Sequence, residues 1–171
     1  MKSAYMVAIG ATLAGVIAYA IWPKEPLPLD TKIDSVLVLK SERKLLLLSQ
    51  GTAVKQYTIS LGHNPAGRKT QAGDLKTPEG PYVIDYRNTQ SAYHLALHIS
   101  YPNSTERAQA LARNVDPGGD IMIHGMKNGF GFVGRWHRWV DWTAGCIAVT
   151  DDEIEEIAGA VKDGTSIEIR A

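Results

Sequence analysis

Between Ile33 and Gly62 the chain holds three short apolar runs, IDSVLVLK, KLLLLSQ and TAVKQYTISLG. None is long enough for a helix that buries a face, and only Ser41, Glu42 and Arg43 separate the first two, so they read as a β-hairpin followed by a third strand. A folded part that opens on such a meander must build a sheet and cover it. The stretch GHNPAGRKTQAGDLKTPEGP that comes next is dense in breakers and reads as loop and turn. YVIDYR, HLALHIS and DIMIHG are further strand candidates, and STERAQALAR is a short helix. Near the end, Thr150 and Glu153 form a capping-box pattern that opens DDEIEEIAGAVKDG, with Ile154, Ile157, Ala158 and Val161 on one face. Gly164 is expected to stop that helix and TSIEIR to return as a last strand. The residues therefore predict a mostly β (α+β) domain with one or two short helices.

At 171 residues and 44% hydrophobic content, the chain fits one globular domain with its own core. Eighteen basic and eighteen acidic side chains cancel, so no overall field favours nucleic acid, and no nucleic-acid partner is expected. The N-terminus differs in kind. From Ala4 to Trp22 the chain carries no charge, and at about 1.5 Å per residue a helix of that length just spans a bilayer core of roughly 30 Å. Residues 1–22 are read as a signal-anchor, with a cleaved signal peptide as the competing reading because Ala18, Tyr19 and Ala20 have the form of a cleavage site. Either reading exports the rest of the chain, and an anchor adds a membrane partner and an inner-membrane location facing the periplasm. Residues 23–32, with Pro23, Pro26 and Pro28, form an extended linker without hydrogen-bonded structure, and the domain occupies 33–171.

Cys146 is the only cysteine, so an internal disulfide is impossible and an exported thiol needs another reason to be present. Buried apolar packing is the plainer possibility. Its setting favours a nucleophile: Gly145 allows close backbone approach, and Ile147 and Val149 alternate as a strand would, fixing the sulfur at the strand start. A thiol needs a base nearby to attack at neutral pH. Of five histidines, His124 ends the apolar strand DIMI and is followed by Gly125, which presents the imidazole at a strand end. If IMIHG and AGCIAV pair, their ends meet. The histidines have no metal-ligand spacing, so neither metal nor other cofactor is expected.

The pattern IHG, a glycine-rich loop, then TAGCIAV, with KTPEGPYVI upstream, resembles the L,D-transpeptidase (YkuD-type) catalytic domain family over residues 33–171, in its TAGCIAVT subgroup. Thr143, Gly145 and Cys146 match the family signature and His124–Gly125 the step before it, whereas Ala144 and Ala148 stand where the family often has a histidine and a polar residue. The resemblance implies an L,D-transpeptidase-like β-sandwich. It also implies a cysteine-dependent transpeptidase acting on peptidoglycan stem peptides through a thioester. Hydrolysis of such bonds by a carboxypeptidase or amidase is the alternative, and a non-catalytic wall-binding domain is a third reading. Cys146 would attack and His124 would accept the thiol proton, with the Gly125 carbonyl orienting the imidazole. Backbone N–H groups around Ala144, Gly145 and Cys146 would hold the oxyanion.

Phe130, Phe132, Trp136, Trp139 and Trp142 cluster with Arg135, His137 and Arg138 in the connecting loop. They suggest a mobile lid, with Arg135 and Trp136 against substrate and Trp142 more structural. Thr143 and Tyr93 are further candidates for substrate contact, and Arg68 a weaker one. The KTPEGP turn reads as architecture, with Thr77 bonding its own backbone.

Overall fold

The computed structural model describes residues 25–28 and 30–171. The apolar run at 4–22, and with it the anchor expectation, lies outside them. Among the described residues no helix is long and apolar enough to cross a membrane.

The first two runs form the hairpin β1 (Ser35–Leu39) and β2 (Lys44–Ser49), and β3 (Thr52–Thr58) follows through a turn at Gln50 and Gly51. β4 (Gly80–Asn88) and β5 (Ala96–Ile99) come after the breaker-rich loop. The helix α1 (Ser104–Ala112) is capped by Asn103, whose side chain accepts from Glu106 while the Glu106 carboxylate accepts from the Asn103 N–H. β6 (Met122–His124), β7 (Ile147–Ala148), α2 (Asp151–Ala160) and β8 (Thr165–Arg170) complete the chain. Between β6 and β7, Gly131–Trp139 forms short 3-10 turns broken at Gly134, whose φ is 49°.

All eight strands join one sheet in the order β3-β2-β1-β8-β4-β5-β6-β7. The sandwich is thus a single sheet curled over its own core, and its two edges meet. Just beyond β3, Ser60 exchanges backbone hydrogen bonds with Ala148 of β7 at 2.8 and 3.0 Å, and Gly62 bridges to Thr143. Period-two alternation drives the curl. Val36 faces Leu47 on β2 and Ile167 on β8, and Val38 faces Leu45 and Ile169, all of them buried. Each such side chain contributes about 1.5–3 kcal/mol on burial. The predicted face of α2, Ile154, Ile157, Ala158 and Val161, closes the same core.

Three expectations change. The helix stops at Ala160, before Gly164, because Val161 turns extended and sinks into the core while its N–H still reaches Ile157 O at 2.8 Å. Gly164 instead takes φ +93° in the turn into β8. The linker is not free of hydrogen bonds: Leu27 N–H donates to Glu156 Oε1 at 2.6 Å and its side chain packs on the core, because Glu156 on α2 faces that strand of chain. Thr77 bonds Gly62 rather than its own backbone, since full burial brings its hydroxyl to the Gly62 N–H at 3.2 Å.

Candidate active site

β6 and β7 run parallel in a register that sets Ile123 against Ile147 and His124 against Ala148. Both isoleucines point into the core, so His124 and, one residue before β7, Cys146 lie on the opposite face of adjacent strands. That face opens into a cavity of about 800 Å³ lined by His124, Cys146, Tyr93, Trp142, Thr143 and Ala144, among others.

The loop carrying the thiol is braced on both sides. Thr143 N–H donates to Leu61 O at 3.1 Å, and His63 N–H to Thr143 O at 3.0 Å. Within the loop, the Thr143 hydroxyl accepts from Gly145 N–H at 3.1 Å and donates to Cys146 O at 2.8 Å. Behind it, Gly145 has φ +136°, and a Cβ there would meet Lys76 O at 2.7 Å. The KTPEGP segment is thus the back wall of the Cys146 loop. Lys40 holds that wall from inside the protein, donating to Thr77 O at 2.9 Å and to Glu79 Oε1 at 2.7 Å.

His124 is 5% exposed. Its Nδ1 lies 2.7 Å from Gly125 O. A carbonyl only accepts, so Nδ1 carries the proton and Nε2 keeps the lone pair. The Tyr93 ring lies 4.6 Å from the imidazole and the Trp142 ring meets it edge-on at 5.6 Å. Burial lowers the pKa of His124, against a smaller upward push from the Gly125 carbonyl. Burial likewise pushes the Cys146 thiol up, and the Asp120 carboxylate adds to this, opposed by a backbone hydrogen bond from Met122 and the charge of Lys69. The thiol donates to Asp120 O at 3.5 Å. Both groups therefore rest neutral near pH 7, as thiol and imidazole. That pair suits proton transfer at the moment of attack, not a standing thiolate–imidazolium pair.

Of the predicted residues, Cys146, His124, Tyr93, Thr143 and Ala144 share the cavity. Thr143 spends its hydroxyl on the loop itself, so it braces the backbone at Cys146. Gly145 N–H is engaged in the same way, which leaves the Ala144 and Cys146 N–H groups as the oxyanion donors to consider. Arg135 and Trp136 are not brought to this cavity. Arg135 lines a separate one with Arg138, Tyr57 and Glu25, and Trp136 packs edge-on against Trp139 at 4.6 Å. The turn at Gly134 swings the segment away, and the ion pair of Arg138 with Glu153 Oε1 at 2.5 Å ties it to α2. The predicted mobile lid is also pinned by buried His137, whose Nδ1 lies 3.0 Å from Ser60 Oγ. Arg68 is occupied with Glu79 O, at 2.9 and 3.1 Å. Sequence reading missed Tyr86, Asp120 and the nearness of Trp142 to the imidazole. Only Trp142, one residue before the TAGC stretch, carried a local signal. Among the described residues, no group of three or more His, Cys, Asp or Glu side chains could hold a metal ion.

A half-buried thiol and a neutral, tautomer-fixed imidazole thus line one cavity at paired strand ends. The profile of the L,D-transpeptidase catalytic domain family matches residues 33–169, and the chain belongs to that family. Among solved structures, it resembles the helical cell shape determining protein Pgp2 from Campylobacter jejuni at 26% identity and a TM-score of 0.62, with 82% of this chain and 48% of that one covered. Bd1075 from Bdellovibrio bacteriovorus is 25% identical with a TM-score of 0.55, over 85% of this chain and 53% of that one. An L,D-transpeptidase from Xylanimonas cellulosilytica shares the fold at 15% identity and a TM-score of 0.51, over 86% of this chain and 65% of that one. The chain spans about half the length of the first two. No curated protein sequence is significantly similar to it.

Proposed function

We propose that this chain is a cysteine-dependent L,D-transpeptidase that acts on peptidoglycan stem peptides through a thioester. The observation that carries the reading is the His124 Nδ1 contact with Gly125 O, which leaves Nε2 as the basic nitrogen of a cavity shared with Cys146. Nε2 takes the thiol proton as sulfur attacks the carbonyl of the donor peptide bond. The oxyanion forms against the Ala144 and Cys146 N–H groups, which a rigid loop holds in advance. Collapse breaks the C–N bond, the imidazolium returns its proton to the departing amine, and the acyl group stays on sulfur. A second amine then attacks the thioester, His124 takes a proton from it, and thiol and crosslink are released.

Family membership supports this reaction class, and the Pgp2 likeness supports a role in cell shape. The substrate lies outside the cytoplasm, so we place the domain, residues 33–171, on the periplasmic side, held by the apolar run 4–22 through the 23–32 linker.

The test is mass spectrometry of the full chain, in detergent, incubated with disaccharide-tetrapeptide. Transfer predicts a crosslinked dimer with loss of D-alanine, abolished by Cys146→Ala. Free tripeptide without dimer would assign hydrolysis instead, and absence of both products would remove the reading.

A further inference from the structure

The cavity that holds Cys146 has an unusual charge. Histidines aside, Asp120 is its one ionisable-charge side chain at neutral pH, and no lysine or arginine lines it. Lys69 is a cation whose charge reaches Cys146, but it is buried and paired with Asp74 Oδ1 at 2.9 Å. Asp120 is exposed, and its carboxylate accepts no hydrogen bond from any described residue. Neighbouring acids differ: Asp74 accepts from Lys69, Thr70, Gln71 and Lys76, and Asp85 pairs with His98 at 2.6 Å.

The position is also backbone-demanding. Asp120 has φ +53°, a region that glycine occupies without a side-chain clash, and Gly118 and Gly119 stand just before it. Its carbonyl sits against Sγ at 3.5 Å, so its carboxylate is held within one residue's reach of the nucleophile. A fixed negative charge there opposes formation of a thiolate and does no packing work in return. Tyr86, whose ring stacks on His98 at 4.5 Å, and Tyr93 present aromatic surface to the same cavity. An anion with aromatic faces beside it is a site for an organic cation.

We infer that Asp120 is a specificity residue that receives a primary ammonium group on the stem peptide, with Tyr86 and Tyr93 flanking it. This deepens the proposed function and rests on it for the substrate. The electrostatic part can be tested without any turnover.

The full chain is reacted with methanethiosulfonates bearing an ammonium, no charge, or a sulfonate, and the rates at Cys146 are compared for wild type and Asp120→Asn. Asparagine matches aspartate in shape and tolerates positive φ, and a thermal melt checks the fold. The ratio of ammonium to sulfonate rates is expected to fall about three- to tenfold in the variant, the size of a screened charge pair several ångströms apart. An unchanged ratio overturns the inference. With stem peptides, the variant should lose kcat/KM for the free-amine form and not for its N-acetylated form; equal loss on both also overturns it. If no peptide is turned over, the proposed reaction fails while the reagent ratios still decide the role of Asp120.

Discussion

His124 and Cys146 are both held neutral by burial, and this sets two pH dependences of opposite hand. A histidine whose folded pKa lies below its ordinary value of 6.5 takes up its proton more readily when unfolded, so stability rises with pH through that window and weakens below it. His124→Gln should therefore flatten the acid side of a urea-melt series below about pH 6.5. If the slope is unchanged, another group governs it. The raised thiol predicts that iodoacetamide labels Cys146 with a midpoint above that of free cysteine, whereas a midpoint at or below that of free cysteine would remove the upward shift. Gly145 is the third sensitive residue, because Ala would place a Cβ 2.7 Å from Lys76 O at φ +136°. Gly145→Ala should cost about 1–3 kcal/mol in a denaturant melt and lose labelling specificity at Cys146. Cys146 and His124 could be singled out as candidates at this scale because each stands at one end of an apolar strand run. Asp120 could not, since nothing in GGDIMI distinguishes a turn aspartate from a charge poised over a thiol.

At the scale of elements, Glu153 joins two jobs. Its Oε2 accepts from Thr150 N–H at 3.0 Å to cap α2, and its Oε1 holds Arg138 of the 3-10 segment, both side chains being largely buried. Glu153→Ala removes its half of the capping box and leaves a buried guanidinium without its carboxylate, at about 3–5 kcal/mol. The expected result is a lower Tm together with new proteolytic cuts between residues 130 and 140; a lower Tm with that segment still protected would show that other contacts, such as His137 with Ser60, suffice to hold it. The capping box and the apolar face of α2 were legible in the sequence because their periodicity is local. The fate of the aromatic loop was not. Its clustered rings and cations read as a substrate clamp, but the φ of 49° at Gly134 and one buried ion pair turn Arg135 and Trp136 away from the thiol.

For the whole molecule, chain order and sheet order part company. β8, the last strand, lies between β1 and β4 in the middle of the sheet, with Ile167 and Ile169 buried among residues from both neighbours. Removing residues 165–171 should abolish cooperative unfolding, whereas removing 1–22 should leave a soluble, folded domain. Circular dichroism melts of the two truncations would reverse the picture if only the second lost its transition.

By itself, the sequence determined the mostly β class, the strand and helix segments, the pairing of His124 with Cys146 as candidate base and nucleophile, and the family resemblance. The class and the segments rest on information within a dozen or so residues, namely period two, period 3.6 and a cap, while the pairing of His124 with Cys146 and the resemblance rest on the order of short motifs along the chain. Tertiary structure decided the rest. Closure of the curled sheet through Ser60 and Ala148, the wall that Lys76 and Thr77 raise behind Gly145, and the meeting of Asp120 with the thiol join residues far apart in the chain. Contacts of that kind depend on packing and backbone approach in three dimensions, which no local pattern encodes.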